Sequence, residues 1–344
     1  MNYIDPSCAI SMLRALKAHH FTRGDPVAGA AYVHQKQWGD RSEIITHLRA
    51  AVAGIELEDV GAGLSRDFMA AASAASVIGR LPGVRALPPR VRLMGPTTKL
   101  RASFATEGSA VPLLAGTYSA VSITPAKITA LLVASNEALA DDLVEAALAS
   151  DLLQACADAL DSAFLDADIA TSITAGAVLI DSSVPTLAEL DLALEAAMSV
   201  IAQAGSLRTS AWAMSSWLAG RLALVRGTGG SPAYPLIGAT GGSLCGLPAL
   251  THDDESFTSS GGDIALVDGS LVGYAAGGAE LRTSTNALIE MDSSPTGDSI
   301  APTGASASMV SMFSADSTAL LATLRAGWIL RRTGGVAVIR GVSL

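Results

Sequence analysis

The sequence predicts an α+β protein, and three stretches carry that prediction. Residues 136–165 read as a long helix, 91–127 as a β-hairpin, and 319–330 with 336–339 as apolar strands that close the chain. The helix follows Ser135 and Asn136, either a good cap, and has Asp141 and Asp142 near its start, where the helix dipole favours acids. Leu139, Leu143 and Ala147 form one apolar stripe, and Leu148, Leu152, Cys156, Leu160 and Phe164 another, together a wide face at helical spacing. At 1.5 Å per residue it would be roughly 40 Å long. Cys156 reads as a small core residue on that face.

The hairpin rests on Val91-Arg-Leu-Met and Thr117-Tyr-Ser-Ala-Val-Ser-Ile-Thr, in which Ser119, Val121 and Ile123 share one side. Its distal part, 101–116, is rich in Ala, Ser, Gly and Pro. A two-stranded ribbon of this kind is marginal alone in water, so it is expected to lie on a neighbouring subunit. The closing strands are joined through Thr333-Gly334-Gly335.

The remaining elements follow in order. Short helices are expected over 9–19 and 42–52, and another over 67–78 that runs into a Pro-rich arm. A second long helix covers 187–204, and Ala211-Trp-Ala-Met-Ser-Ser-Trp-Leu reads as a strand passing into a helix. Seven glycines between Gly227 and Gly246 mark a long loop. Residues 247–250 and 264–274 read as strands, the latter broken by Asp268-Gly269, a two-residue hairpin signal, and 292–306 as a Ser-, Pro- and Gly-rich loop.

With 344 residues the chain is long enough for two or three compact units without disulfide or metal staples. Half the residues are hydrophobic, but only 4% are aromatic and 16% charged, which favours extensive subunit burial over aromatic ligand pockets. Cys8, Cys156 and Cys245 are far apart and odd in number, so neither a disulfide framework nor a zinc ribbon is indicated. Residues 1–20 lack the order of a secretory signal, and the uncharged stretch 108–126 carries Pro112 and Pro125, so a soluble, unsecreted protein is expected. A net charge of −10 argues against a general nucleic-acid binder.

That charge is segregated. Arg80, Arg85, Arg90, Arg92, Lys99 and Arg101 lie in a tract without an acid. From Lys127 to Arg208 the order reverses: no Lys, Arg or His intervenes among thirteen acids that include Glu137, Asp141, Asp142, Glu145 and Asp161. A basic extended arm and an acidic helix suit each other across subunits, where complementary potentials set register and encounter rate.

Signatures of catalysis are poor. Gly227-Thr-Gly229-Gly230 lacks the GKS/T ending of a phosphate loop. Gly241-Gly-Ser243-Leu-Cys245-Gly246 puts Cys where a hydrolase elbow needs its second Gly, and no strongly helical segment follows. His252-Asp253-Asp254-Glu255 offers hard oxygen ligands but reads better as a solvated loop. No enzyme activity, cofactor or metal is expected.

Three stretches carry a resemblance: Glu107-Gly-Ser-Ala-Val-Pro112, then Thr117 through Pro125-Ala-Lys127, then Val133-Ala-Ser135-Asn-Glu-Ala-Leu-Ala-Asp141. In this order they resemble the tailed-bacteriophage major capsid family with the Hong Kong 97-like fold. Ala211-Trp-Ala-Met-Ser, Gly246-Leu-Pro-Ala-Leu, Gly262-Asp-Ile-Ala-Leu-Val-Asp268 and the closing strand extend it over about 65–344. The resemblance implies an N-terminal arm (66–90), an extended loop (91–127), a peripheral domain (128–180 and 291–344, with a spine helix over 136–165) and an axial domain (181–290). Residues 1–65 have no counterpart in the resemblance; they read as a helical segment to which the sequence assigns no role, a scaffold-like region being one reading.

It further implies a shell subunit that self-assembles through pentamers and hexamers around phage DNA, in a virion built in the host cytoplasm. Portal, scaffold and decoration proteins are the other partners, contact with DNA is loose, and no membrane is involved. A nanocompartment shell of the same fold, enclosing a cargo enzyme, is the alternative. The residues expected at subunit interfaces are Arg80, Arg85, Arg90, Arg92, Lys99, Arg101, Glu107, Asp141, Asp142 and Glu145. Some family members crosslink an extended-loop Lys to a neighbour's Asn; Lys99 lies in that region, and Asn2, Asn136 and Asn286 are the only asparagines.

Overall fold

A computed structural model describes residues 58–343 apart from 101, 103, 105, 108–112, 114–115, 167–168, 185, 228, 254–261, 292–308 and 333, together with positions 10, 14, 18, 31–33 and 36. Within the expected helix over 9–19 the described residues Ile10, Arg14 and Ala18 are helical; the helix over 42–52 and the loop over 292–306 lie outside the described residues.

Helix α1 (Glu58–Ala75) starts earlier than the expected 67 and stops at Ser76, after which a single turn, α2 (Val77–Arg80), completes the segment. The Pro-rich arm then supplies only a two-residue strand, β1 (Arg85–Ala86). The expected hairpin forms from β2 (Arg92–Pro96) and β3 (Tyr118–Ser122), antiparallel, with Arg92 opposite Ser122 and Pro96 opposite Tyr118.

A ten-residue strand that the sequence reading lacks, β4 (Ala126–Ser135), comes next. The expected helix over 136–165 is in fact two: α3 (Asn136–Ala140) and α4 (Asp142–Leu165), separated by Asp141 in an extended conformation. Asp141 thereby sits where helix α4 needs a non-helical first residue, a position that favours Asp. Ser135 is the cap of α3, accepting from the Ala138 N–H at 3.2 Å. Asn136 instead ties α3 to the closing strand, donating to the Asp316 carboxylate (2.6 Å) and accepting from the Thr318 hydroxyl (2.7 Å). At 24 residues α4 is about 36 Å long.

Beyond it lie β5 (Val178–Val184), α5 (Leu187–Ala204), β6 (Ser210–Ser215) and α6 (Ser216–Leu224). The Gly-rich stretch expected to be a long loop holds two short strands, β7 (Ile237–Gly238) and β8 (Gly241–Leu244), before β9 (Leu247–His252). The chain finishes with β10 (Ile264–Asp268), β11 (Val272–Ser284), β12 (Leu288–Glu290), β13 (Met309–Ser311), β14 (Ser317–Leu330) and β15 (Val336–Val342).

Two sheets organise these elements: four strands in the order β1-β11-β14-β4, and seven in the order β5-β15-β10-β6-β9-β8-β7. Asp268-Gly269 is therefore a corner rather than a hairpin turn. Strand β10 belongs to the larger sheet and β11 to the smaller, and a 3₁₀ turn over Gly269–Leu271 carries the chain between them. The same separation parts β14 from β15.

The central strands of the larger sheet, β15, β10 and β6, are buried on both faces, which explains their unbroken apolar runs. Trp212, Met214, Ile264, Leu266, Ala337 and Ile339 pack under α5 and α6, while Ala211, Ala213, Ala265, Val267, Val336 and Val338 face the other core. That second core holds Leu152, Cys156, Leu160 and Phe164 of α4, as the predicted stripe requires, with Leu320, Ala322 and Leu324 of the smaller sheet. Burial pushes the Cys156 thiol up to about 12, so it stays protonated. Among the described residues no helix is long and apolar enough to cross a membrane.

Candidate assembly interface

The arm is fastened to the body of its own chain by hydrogen bonds between charged side chains and backbone groups. Helix α2 begins at Ser76, whose side chain makes no cap bond; the free N–H of Val77 is taken instead by Oδ1 of Asp161 at 2.7 Å. Asp161 is buried on α4, one turn past Ala157, so an acid of the spine stabilises the arm's helix start within one chain. Arg80 ends the same turn. Its Nη2 donates to the Thr251 carbonyl (2.6 Å) and its Nε to the Ser76 carbonyl (3.2 Å), which clamps the arm to the end of β9.

A second fastening sits where the two sheets meet. The fully buried carboxylate of Asp268 accepts from the N–H of Ser206 (2.7 Å), the Thr209 hydroxyl (2.7 Å), and the N–H and hydroxyl of Ser270 (3.0 and 2.7 Å). Residue 269 must be glycine, because a Cβ there would meet the Pro82 carbonyl of the arm. Beside this corner the C-terminus of α5 presents its free carbonyls to two cations. Lys99 donates to Gly205, and Arg332 donates to Ala204 while its Nε reaches the Pro96 carbonyl at 3.4 Å. Cations favour that end of the helix dipole, and α5 has no basic residue of its own in its last turn.

The root of the hairpin is thus tied down, and it also packs. Ile123 lies with Ala275 and Ile329 in a small buried cluster that Leu87 and Leu93 complete. Gly327 permits this approach, since a Cβ there would fall 2.5 Å from Cγ2 of Ile123. Farther out the ribbon is open. Thr97 N–H donates to the Thr117 carbonyl (2.9 Å), and beyond the root Met94 and Tyr118 are exposed, while Phe104 and Leu113 are 94% and 91% exposed.

Of the residues expected at interfaces, Arg80 and Lys99 are used inside the chain, as above. Arg85, Arg90 and Arg92 are exposed and, among the described residues, make no ion pair within the chain. Glu107 and Asp141 are exposed. Arg101 and the side chains of Asp142 and Glu145 lie outside the described residues, although the backbone of the last two forms the first turn of α4.

Sequence reasoning missed Asp161, Asp268 and Arg332. An acid at the buried spacing of an apolar stripe was a readable signal for the first. Ser243 does not sit on a hydrolase elbow, because β8 and β9 join through a turn at Cys245 instead of passing from strand to helix. Among the described residues no group of His, Cys, Asp and Glu could hold a metal ion; His252 is buried on β9, and Asp254 and Glu255 lie outside the described residues.

Over residues 64–341 the sequence matches the family model described as the phage capsid family. The chain belongs to that family. One phage-capsid relative is the capsid polyprotein of Pseudomonas phage PAJU2, 29% identical over 293 residues. That alignment takes in 80% of this chain, which spans only 43% of the relative's length. Among solved structures, the fold is similar to chains of Gordonia phage Cozz (18% identity, TM-score 0.52, 77% of this chain and 85% of that one) and Mycobacterium phage Ogopogo (17%, 0.54, 77% and 91%). At such identities the likeness is one of fold, and it is the Hong Kong 97-like capsid fold that the motifs imply.

Proposed function

We propose that this phage-capsid chain is the major shell subunit, assembling through pentamers and hexamers into an icosahedral particle that encloses phage DNA. In this reading α1 to β1 is the N-terminal arm, the β2–β3 ribbon the extended loop, α4 with the four-stranded sheet the peripheral domain, and α5 to β10 most of the axial domain. The observation that carries it is the ribbon: anchored at its root by Lys99, Arg332 and Ile123, it leaves Phe104 and Leu113 almost wholly exposed. Two large, nearly bare apolar side chains on one tethered ribbon make a surface suited to burial against a partner.

Exposed Arg85, Arg90 and Arg92, with Arg101, meet acids of a neighbour's spine tract in the assembled shell, where Asp151 of α4 and Glu189, Asp191 and Glu195 of α5 are exposed. The phage origin of the relatives favours a genome shell over a cargo-filled compartment. Electron microscopy of purified particles is expected to show closed shells, with DNA in native ones. Replacing Arg85, Arg92 and Arg101 together by Glu is expected to abolish particles while the subunit stays folded; normal particles from that variant would remove the electrostatic part.

A further inference from the structure

The four-stranded sheet has two edges, and they are built differently. On one side β1 pairs with β11 only at Gly273 and Tyr274, and the rest of that edge carries features that discourage a further strand. The register of β11 with β14 shifts around Gly277 and Gly278, and the charged pair Glu280 and Arg282 follows. The other side is β4, ten residues with no strand beyond it among the described residues. From Ile128 to Ala134 it has no charge, no proline and no glycine. At about 3.3 Å per residue, this unguarded edge runs for about 33 Å.

The backbone of β4 faces that edge at alternate residues. The Asn136 N–H donates to the Asp316 carbonyl, continuing the register in which Ala134 opposes Thr318, so the even-numbered residues are the hydrogen-bonded partners of β14. Lys127, Thr129, Leu131 and Val133 therefore turn their N–H and C=O groups outward, and among the described residues no backbone bond from elsewhere meets them. Their side chains share the outer face of the sheet, where Lys127 and Thr129 are exposed and Leu131 is 53% exposed.

This edge fits a copy of itself. A two-fold axis through Leu131 sets Leu131 against its own copy, Thr129 against Val133 and Lys127 against Ser135. Outward-facing backbone groups then meet outward-facing groups, as hydrogen-bonded pairs require, and outer-face side chains meet outer-face side chains. A register one residue away would break both matches. The ends add a charge match. Within one chain Lys127 stands directly opposite Arg325, both are exposed, and among the described residues neither makes an ion pair. Like charges so placed repel. Across the axis Lys127 comes beside Ser135 of the second copy and so beside Glu137, which is exposed in the first turn of α3.

We propose that the outer edge of β4 pairs antiparallel with the β4 edge of a second copy of this chain, on a two-fold axis through Leu131, with Lys127 of each copy against Glu137 of the other. The two four-stranded sheets become one continuous sheet. A contact of this kind uses the same patch on both copies and closes on itself, so it joins subunits in pairs and does not build a ring. The inference rests on the shell reading above, in which such a pair links one ring of subunits to the next.

The test uses the full chain. Leu131→Cys sets a thiol opposite its own copy at a Cα spacing of about 5.5 Å, within the range a disulfide accepts. With oxidised glutathione it is expected to give a covalent dimer on non-reducing gels, beyond any that the unaltered chain gives through Cys8, Cys156 and Cys245. Leu131→Lys places two cations face to face on the axis and is expected to lower particle yield about tenfold or more, with the subunit's thermal unfolding midpoint unchanged because the residue is exposed in the single chain. Thr129→Pro removes an outward N–H and is expected to act like Leu131→Lys, whereas Ala130→Pro removes an N–H that serves β14 and is expected to destabilise the subunit itself. Normal particles from Leu131→Lys overturn the proposal. Loss of particles in Leu131→Lys without a dimer from Leu131→Cys also overturns it, and assigns the edge to a different strand. Covalent dimers from a chain that never closes a particle would support the contact and sink the shell reading instead.

Discussion

The seven-stranded sheet and the β2–β3 ribbon are built on opposite terms. Strand β6 buries all six of its residues, alternate ones feeding two different cores, and Trp212 even finds a partner for its indole N–H in the Leu244 carbonyl at 3.0 Å. In the ribbon, four of the five residues of β3 are exposed and the bare side chains beyond it are Phe and Leu. The sheet is complete within one chain. In the proposed shell a neighbouring subunit completes the ribbon, and the difference then separates what holds the subunit together from what holds subunits to each other.

Substitutions should divide along the same line. The largest loss of subunit stability is expected from Trp212→Ala, about 3–5 kcal/mol, since it empties a fully buried indole site; chemical denaturation measures it directly. Asp161→Ala is next, about 1–2 kcal/mol, because it strips the only described cap from α2 and leaves a buried N–H unmatched; here protease cleavage within the arm should rise before global unfolding. Smallest is Leu113→Ser, within about 0.5 kcal/mol on the isolated subunit yet harmful to particle yield. A large destabilisation by Leu113→Ser would mean that the ribbon packs within its own chain, and the contrast drawn above would fail.

How much of this was legible in the sequence depended on whether a segment's partner was local. Helix α5 begins and ends at the expected residues 187 and 204, because its cap, Thr186, accepts from the Glu189 N–H and its apolar spacing is self-evident. The stripe from Leu152 to Phe164 was equally plain. Strand β4 was not, because Ile128-Thr-Ala-Leu-Leu-Val is short and apolar, and periodicity alone does not separate strand from helix in such a run. Its strand character comes from β14, almost two hundred residues later, which pairs with it from Ser135↔Ser317 to Ala126↔Ala326.

Asp268-Gly269 misled for a related reason. The dipeptide marks a reversal within one sheet when the flanking strands pair with each other, but here β10 pairs with β6 and β15 while β11 pairs with β1 and β14. The buried Asp268 carboxylate, with its four donors, holds a corner between sheets. On the candidate interface, charge segregation was visible as a pattern, but not its division of labour. Arg80, Lys99 and Asp161 turn out to fasten the arm and loop within the chain, whereas Arg85, Arg90 and Arg92 stay open to solvent.

The central claim, that the ribbon serves other subunits and not its own, is tested most directly by deleting 100–115. That change keeps Lys99 on Gly205 and leaves Thr98-Lys99-Gly116 as a three-residue connection between the paired Thr97 and Thr117, a loop length that antiparallel strands accept. The expected result is a subunit whose unfolding midpoint stays within about 3 °C of the full chain's and which forms no closed particles. A deletion variant that unfolds far earlier, or that assembles as well as the full chain, would contradict it.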